Sequence, residues 1–132
     1  MPFFNIDTGK HPIVIINFLE LSPNDQDIEA LLADLHKLLK KQAKQKKQLH
    51  FIYNIKAPLV LTLEQRHIIA EWIKRNFELI KNTVLSTAYV TAYGTHEIMI
   101  ESLYFLQAPD WPVSNYKSLE EAIEWTKKML AE

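Results

Sequence analysis

The sequence predicts an α/β domain with a mixed, mostly parallel sheet of about five strands, an N-terminal antiparallel hairpin and four helices. Short β-branched runs alternate with amphipathic helical stretches, and such an order requires crossover connections between parallel strands. The first two apolar runs are separated by only a short turn, which is typical of a hairpin. The chain has 132 residues, of which 48% are hydrophobic and 23% charged, as expected for one domain with a real core.

The N-terminal hairpin is predicted from residues 3–7 and 12–18. The first segment alternates loosely and is short, so we expect an edge strand. The Asp-Thr-Gly-Lys segment at 7–10 is a turn signal, with Gly9 suited to positive φ. The second segment is rich in β-branched residues, which indicates a strand buried on both faces.

The first helix is predicted to begin with Ser22 as its cap and Pro23 in its first turn. Its apolar face is leucine-rich, and it ends in a group of lysines (Lys37, Lys40, Lys41, Lys44, Lys46 and Lys47). Basic residues at a helix C-terminus suit the macrodipole, so we interpret them as a solvated helix end. The alternative is a phosphate or nucleic-acid contact. A net charge of −1 and the lack of interleaved arginines and aromatics favour no nucleic-acid partner.

The central unit is a strand at 49–54 followed by a long amphipathic helix from Thr62 to about Lys81. Thr62 and Gln65 match a capping box. The helix buries one apolar stripe, formed by Ile69, Trp72, Ile73, Phe77 and Ile80.

A strand at 83–93, a third helix at 95–107, a strand at 113–116 and a terminal helix complete the prediction. Ser118 and Glu121 form a second capping box, and the terminal helix is expected to turn Leu119, Ala122, Ile123, Met129 and Leu130 inward. The third helix, capped by Thr95, is apolar around almost its whole circumference. Such a helix is buried on two sides, one of which can belong to another chain. Its candidate dimer or partner face is Ile98, Met99, Leu103, Tyr104 and Phe105.

The element order, the helix-entry Pro23, the leucine-rich first helix and the Leu-Thr-Leu-Glu-Gln-Arg segment at 61–66 resemble the STAS-like fold. Its best-known members are the anti-sigma-factor antagonists, and uncharacterised bacterial STAS or Sec14-like single domains look most similar. The resemblance implies that residues 1–132 form a single STAS-like domain.

In the antagonists, a partner kinase phosphorylates a serine or threonine beside an aspartate and a glycine, after the central strand. The corresponding segment 54–62 lacks the acid, the paired hydroxyls and the glycine, so only Thr62 remains as a candidate phosphosite. A phosphate there would meet free backbone N–H groups and the helix dipole. The simpler interpretation of Thr62 is a plain N-cap.

The residues offer no catalytic pattern, and we expect no enzyme, no metal and no cofactor. The chain has no cysteine and two glycines, which removes thiol chemistry and phosphate-binding glycine loops. Ser86, Ser102, Ser114 and Ser118 have no recognisable base in the sequence. The best acid–base cluster is His96 with Glu97 and Glu101. His50 is expected to be a partly buried, hydrogen-bonded side chain.

Aromatic residues fall where strand ends meet helix starts, which is the usual ligand location in open α/β sheets. Tyr53, Trp72, Tyr93 and Trp111 are candidate pocket residues, together with Tyr89 and Tyr104. The alternative interpretation is that these side chains fill an ordinary core.

These patterns lead to the hypothesis of a non-enzymatic protein-interaction or regulatory module, acting on a protein partner or as a homodimer. The alternative is a small-molecule or lipid-binding domain of Sec14-like type, with a small apolar ligand. The start of the chain lacks the features of a signal peptide, and the longest apolar run, 12–19, is too short to span a membrane. A cytoplasmic location is therefore expected.

Overall fold

The computed structural model describes residues 2–20, 22–55, 59–91 and 94–131. The strands are β1 (Phe4–Lys10), β2 (Ile13–Phe18), β3 (Leu49–Ile55), β4 (Val84–Thr91) and β5 (Val113–Tyr116). The helices are α1 (Asp25–Lys44), α2 (Leu63–Arg75), α3 (Phe77–Thr83), α4 (Gly94–Leu103) and α5 (Leu119–Leu130).

The five strands form one sheet in the order β1-β2-β3-β4-β5. β1 pairs antiparallel with β2, and every later pairing is parallel. Strand order therefore follows chain order, and each parallel pair is joined through a helical crossover. The predicted fold class, a mixed and mostly parallel sheet with an N-terminal hairpin, is confirmed.

The helices cover the two faces of the sheet unequally. Helices α1 to α4 pack on the first face, where alternate residues such as Val14, Phe51 and Tyr89 join the larger core. Helix α5 packs on the second face against a smaller core that contains Ile13, Ile52 and other inward residues of β2 to β4. The central strands are mostly buried on both faces, and β2 accordingly has a nearly continuous apolar run, whereas β3 and β4 also bury polar side chains such as His50 and Ser86.

The prediction of four helices is wrong, because the helix expected from Thr62 to about Lys81 is two helices. Asn76 ends α2 and precedes α3, with φ of −106° and ψ of 18°. Its side-chain amide donates to the Trp72 carbonyl at 2.9 Å. The apolar stripe continues across this residue, so the periodicity gave no sign of the break.

Several element ends also differ from the predictions. Asn24, not Ser22, caps α1, and it forms a reciprocal capping box with Asp27. β1 runs through the predicted turn at 7–10, no glycine in the described part of the chain has positive φ, and the chain turns at 11–12. Helix α4 begins at Gly94 and ends at Leu103, four residues before the predicted end.

Of the three other capping predictions, those at Thr62 and Ser118 locate real helix starts, whereas the one at Thr95 is wrong, because α4 already begins at Gly94. Thr62 Oγ1 accepts from the Gln65 N–H at 3.1 Å, and Gln65 Oε1 accepts from the Thr62 N–H at 2.9 Å. Ser118 caps α5 by accepting from the Glu121 N–H at 3.2 Å. Within α5, Ala122 and Thr126 are fully buried, whereas Leu130, predicted to face inward, is exposed.

Gln65 also connects the N-termini of two helices. Only 2% of its surface is exposed. Its Nε2 donates to the Pro23 carbonyl at 2.8 Å and to Asp25 Oδ1 at 3.2 Å. One side chain therefore completes the cap of α2 and fixes the entry to α1.

Candidate functional site

An apolar cavity of about 100 Å³ lies between the first face of the sheet and helices α1 to α4. Its walls include Phe51, Tyr53 and Tyr89 from the sheet, and Met99 and Ile100 from α4. A well-packed core leaves few voids larger than a water molecule. This cavity therefore has room for a small ligand inside the fold.

Two tyrosines place a polar spot in this apolar wall. The hydroxyl oxygens of Tyr89, on β4, and Tyr104, in the turn after α4, share a hydrogen bond at 2.5 Å. Either hydroxyl can be the donor. The hydroxyl that accepts keeps its own proton, which remains available to a further acceptor.

A second hydrogen bond closes the wall near Trp111. The Trp111 Nε1–H donates to Thr87 Oγ1 at 2.9 Å, which joins the segment after α4 to β4. The Trp111 ring contacts Tyr104 edge-on, with 6.3 Å between ring centroids. The indole donor is thus already paired, whereas the tyrosine pair and the Thr87 hydroxyl each retain a proton to donate.

Burial keeps the cavity tyrosines in their neutral form. It raises the pKa of Tyr104 to about 12. It raises the pKa of Tyr89 and of Tyr53 further, with a smaller contribution in each case from the neighbouring Tyr104. These hydroxyls therefore act as hydrogen-bond donors or acceptors and not as bases at neutral pH.

The composition of the wall limits the chemistry of the site. Among the described residues that line the cavity, no side chain is charged. A charged ligand would lose its hydration without gaining a counter-charge, which costs several kcal/mol. The arrangement can therefore enclose a small neutral molecule and offer it a hydrogen bond from the tyrosine pair or from the Thr87 hydroxyl.

The cavity brings together most of the predicted pocket residues. Tyr53, Trp72 and Trp111 line it, as do Tyr89 and Tyr104. The Tyr53 and Tyr89 rings stack nearly parallel, with centroids 5.1 Å apart. The fourth of the main candidate pocket residues, Tyr93, lies outside the described residues. Thr87 was not predicted, and no sequence signal pairs it with Trp111.

The candidate partner face on the third helix is divided by the structure. Met99, Leu103 and Tyr104 line the cavity, and Met99 is only 8% exposed. Ile98 and Phe105 point outward, with 68% and 77% of their surfaces exposed. The periodicity predicted an apolar helix, but it did not show which side chains face the cavity and which face solvent.

Thr62, the candidate phosphosite, is an exposed N-cap residue. Its hydroxyl oxygen accepts the Gln65 N–H, as a plain cap does. Residues 56–58, part of the segment compared with the antagonists, lie outside the described residues.

His50 has a partner that the sequence did not indicate. Its Nδ1 lies 2.6 Å from Ser86 Oγ, and both side chains are buried at the second face of the sheet. Burial lowers the pKa of His50. The pair depends on the register of β3 against β4, in which His50 lies opposite Ser86. The hydrogen bond expected of His50 is present, but the side chain is fully buried and not partly buried as predicted.

The predicted acid–base cluster is spread over different sides of α4. His96 is buried, and burial lowers its pKa, whereas Glu101 is exposed. Within the part of the chain that the structure describes, no three His, Asp or Glu side chains form a group that could hold a metal ion.

A row of three asparagines crosses β1, β2 and β3 at the second face. Asn54 Nδ2 donates to Asn17 Oδ1 at 2.8 Å, and Asn17 Nδ2 donates to Asn5 Oδ1 at 3.5 Å. Asn54 is 1% exposed, and its Oδ1 has no hydrogen-bond partner among the described residues. Only the sheet register shows that these residues are neighbours.

Neither protein-family models nor curated proteins give a match to this chain. The described helices include none that is both long and apolar enough to cross a membrane.

Proposed function

We propose that this protein is a non-enzymatic regulatory module that binds a small apolar ligand in the cavity beneath α4. The observation that carries the proposal is the cavity of about 100 Å³ itself, walled by aromatic and aliphatic side chains. The proposal agrees with the STAS-like and Sec14-like resemblance, which remains an interpretation of the element order.

The size of the cavity favours a small molecule over a lipid. Pockets for drug-sized ligands usually measure roughly 300–1,000 Å³, well above this volume. An engineered apolar cavity of about 150 Å³ in another protein binds benzene or xenon. A ligand the size of a single ring therefore suits this cavity once the flexible Met99 side chain adjusts.

NMR titration with benzene and with xenon tests this function. We expect saturable shifts of the Met99 and Leu103 methyl groups in the wild-type protein. Leu103→Trp should fill the cavity and remove these responses. Leu63→Trp is the matched control, because Leu63 is 74% exposed and lies outside the cavity wall. Absence of saturable binding of both probes to the wild type would overturn the proposal.

A protein-interaction function is the second candidate, and the exposure of Ile98 and Phe105 favours it. These large apolar side chains flank the exposed Glu101 on the outer side of α4 and the turn after it. Apolar side chains that stay in water at this level are candidates for contact with a second copy or another protein.

Light scattering tests the homodimer form of this candidate. A dimer of the wild type that becomes monomeric in Ile98→Glu and Phe105→Glu would support it. Leu63→Glu places the same charge at another exposed leucine and should leave the dimer intact. A wild-type monomer at high concentration would exclude self-association.

A further inference from the structure

The Tyr89–Tyr104 hydroxyl pair gives the cavity a chemical preference. Both residues line the cavity, and their hydroxyls are hydrogen-bonded to each other. In such a pair one proton is shared and the other is still available. A ligand oxygen that reaches the pair gains a hydrogen bond that a pure hydrocarbon cannot make.

The rest of the wall restricts which ligands can bring that oxygen. The volume of about 100 Å³ limits the ligand to one ring at most, and the described lining carries no charged side chain to balance an ion. Flat rings also match the wall, since Tyr53 stacks with both Phe51 and Tyr89 at centroid distances of 6.1 and 5.1 Å. Offset stacking and edge contacts favour aromatic over saturated rings.

We propose that the cavity selects a neutral, single-ring aromatic molecule with one oxygen acceptor, of which phenol is the simplest, and holds that oxygen at the Tyr89–Tyr104 pair. The inference rests on the proposed function, because it names the ligand class of the same cavity. It adds a specific polar contact that benzene or xenon binding does not require.

Binding of phenol, benzene and benzoate is compared by methyl NMR titration in the wild type and in four variants. These are Tyr89→Phe, Tyr104→Phe, the double variant and Tyr116→Phe. Tyr116 packs against the core on the other face of the sheet, so its variant is the matched control. Replacing both hydroxyls by hydrogen keeps the shape of the wall and removes both polar partners together, which is compatible with folding.

The wild type should bind phenol and benzene but not benzoate. The double variant should weaken phenol about three- to tenfold relative to benzene, as expected for one hydrogen bond. Each single variant leaves one hydroxyl and should keep most of the phenol preference, and Tyr116→Phe should keep all of it. Unchanged benzene affinity in the double variant verifies that its cavity is intact.

The outcomes separate this inference from the function on which it rests. If the double variant binds benzene and still prefers phenol as the wild type does, the inference is overturned, but the proposed function stands. Benzoate binding tighter than phenol would also overturn it, because the site would then hold an anion. If the double variant loses benzene binding while the wild type keeps it, the hydroxyls support the cavity itself. That result contradicts a role of the hydroxyls in ligand choice. No binding of any probe to the wild type would overturn both.

Discussion

His50 is a buried base, and its burial favours the neutral form. It is 2% exposed, and its ring nitrogen is hydrogen-bonded to Ser86 at the second face of the sheet. Burial lowers its pKa below the ordinary value of about 6.5. Protonation inside the fold would place a charge where water does not reach it.

We therefore expect the protein to lose stability as pH falls below about 6.5. In that range the unfolded chain binds more protons than the folded one, so stability rises with pH and falls on acidification. One such group contributes at most about 1.4 kcal/mol per pH unit. Urea unfolding at pH 7.5, 6.5 and 5.5 measures the effect.

His50→Gln should show a shallower pH dependence than the wild type. The slope that remains belongs partly to His96, whose pKa is also lowered by burial. His11→Gln, at an exposed position, controls for the chemistry of the substitution. Equal slopes in the wild type and His50→Gln would contradict the assignment.

The buried side-chain amide of Gln65 connects the starts of α1 and α2 through several hydrogen bonds. It accepts from the Thr62 N–H and donates to the Pro23 carbonyl and to Asp25. Gln65→Glu keeps the acceptor but loses the donor and places a buried carboxylate beside another carboxylate. We expect it to lower the free energy of unfolding by about 3 kcal/mol at neutral pH.

Chemical denaturation measures this loss, with Gln26→Glu as the matched control. Gln26 is exposed in the first turn of α1, and its change should stay within about 0.5 kcal/mol. Equal effects at the two positions would show that the buried bonds of Gln65 contribute little.

At the scale of the element, α4 shows why composition alone misleads. The sequence marks this helix as apolar on almost every side, yet Met99 and Ile100 are buried and their neighbour Ile98 is 68% exposed. The helix packs against α2 and β4. On its outer side, where Ile98 is exposed, no other element among the described residues packs against it. Its orientation depends on those contacts and not on its own periodicity.

Two adjacent substitutions on α4 should consequently differ in effect. Met99→Ala removes a buried side chain and should cost about 2–4 kcal/mol of unfolding free energy. Ile98→Ala should stay within about 0.5 kcal/mol, since its side chain is exposed. Urea titration of both variants provides the comparison, and a cost at Ile98 equal to that at Met99 would mean that the outer side is covered in solution.

The split between α2 and α3 is a second feature of the helices that the sequence did not predict. Strand runs and capping residues such as Thr62 and Ser118 were sufficient to locate most elements, because their signals are local. Asn76 is neither glycine nor proline, and the apolar stripe passes through it unchanged. Helix α3 packs against α1 and the sheet, and these contacts are not visible in the local sequence.

At the scale of the whole molecule, the fold was predictable and the geometry of the site was not. Alternating strands and helices determine a parallel sheet through connection rules that need no distances. The aromatic pocket residues were identified by type, but the bond between Tyr89 and Tyr104 requires the turn after α4 to return to β4. The His50–Ser86 pair likewise requires an exact register between two strands.

Ligand binding should appear as a change in the stability of the whole protein. A ligand that binds only the folded state at 100 times its Kd adds about 2.7 kcal/mol to the free energy of unfolding. For a domain of this size we expect benzene at that excess to raise Tm by about 10 °C. Calorimetry measures the shift, Leu103→Trp should abolish it, and an unchanged wild-type Tm would contradict binding inside the core.

The cavity also makes the folded state bulkier than its atoms require. A void of about 100 Å³ corresponds to on the order of 60 mL per mole, and voids of this kind disappear when the chain unfolds into water. Hydrostatic pressure should therefore favour unfolding more strongly for the empty protein than for the same protein with an occupied core. The pressure dependence of unfolding therefore shows whether the cavity is occupied, and the ligand needs no label.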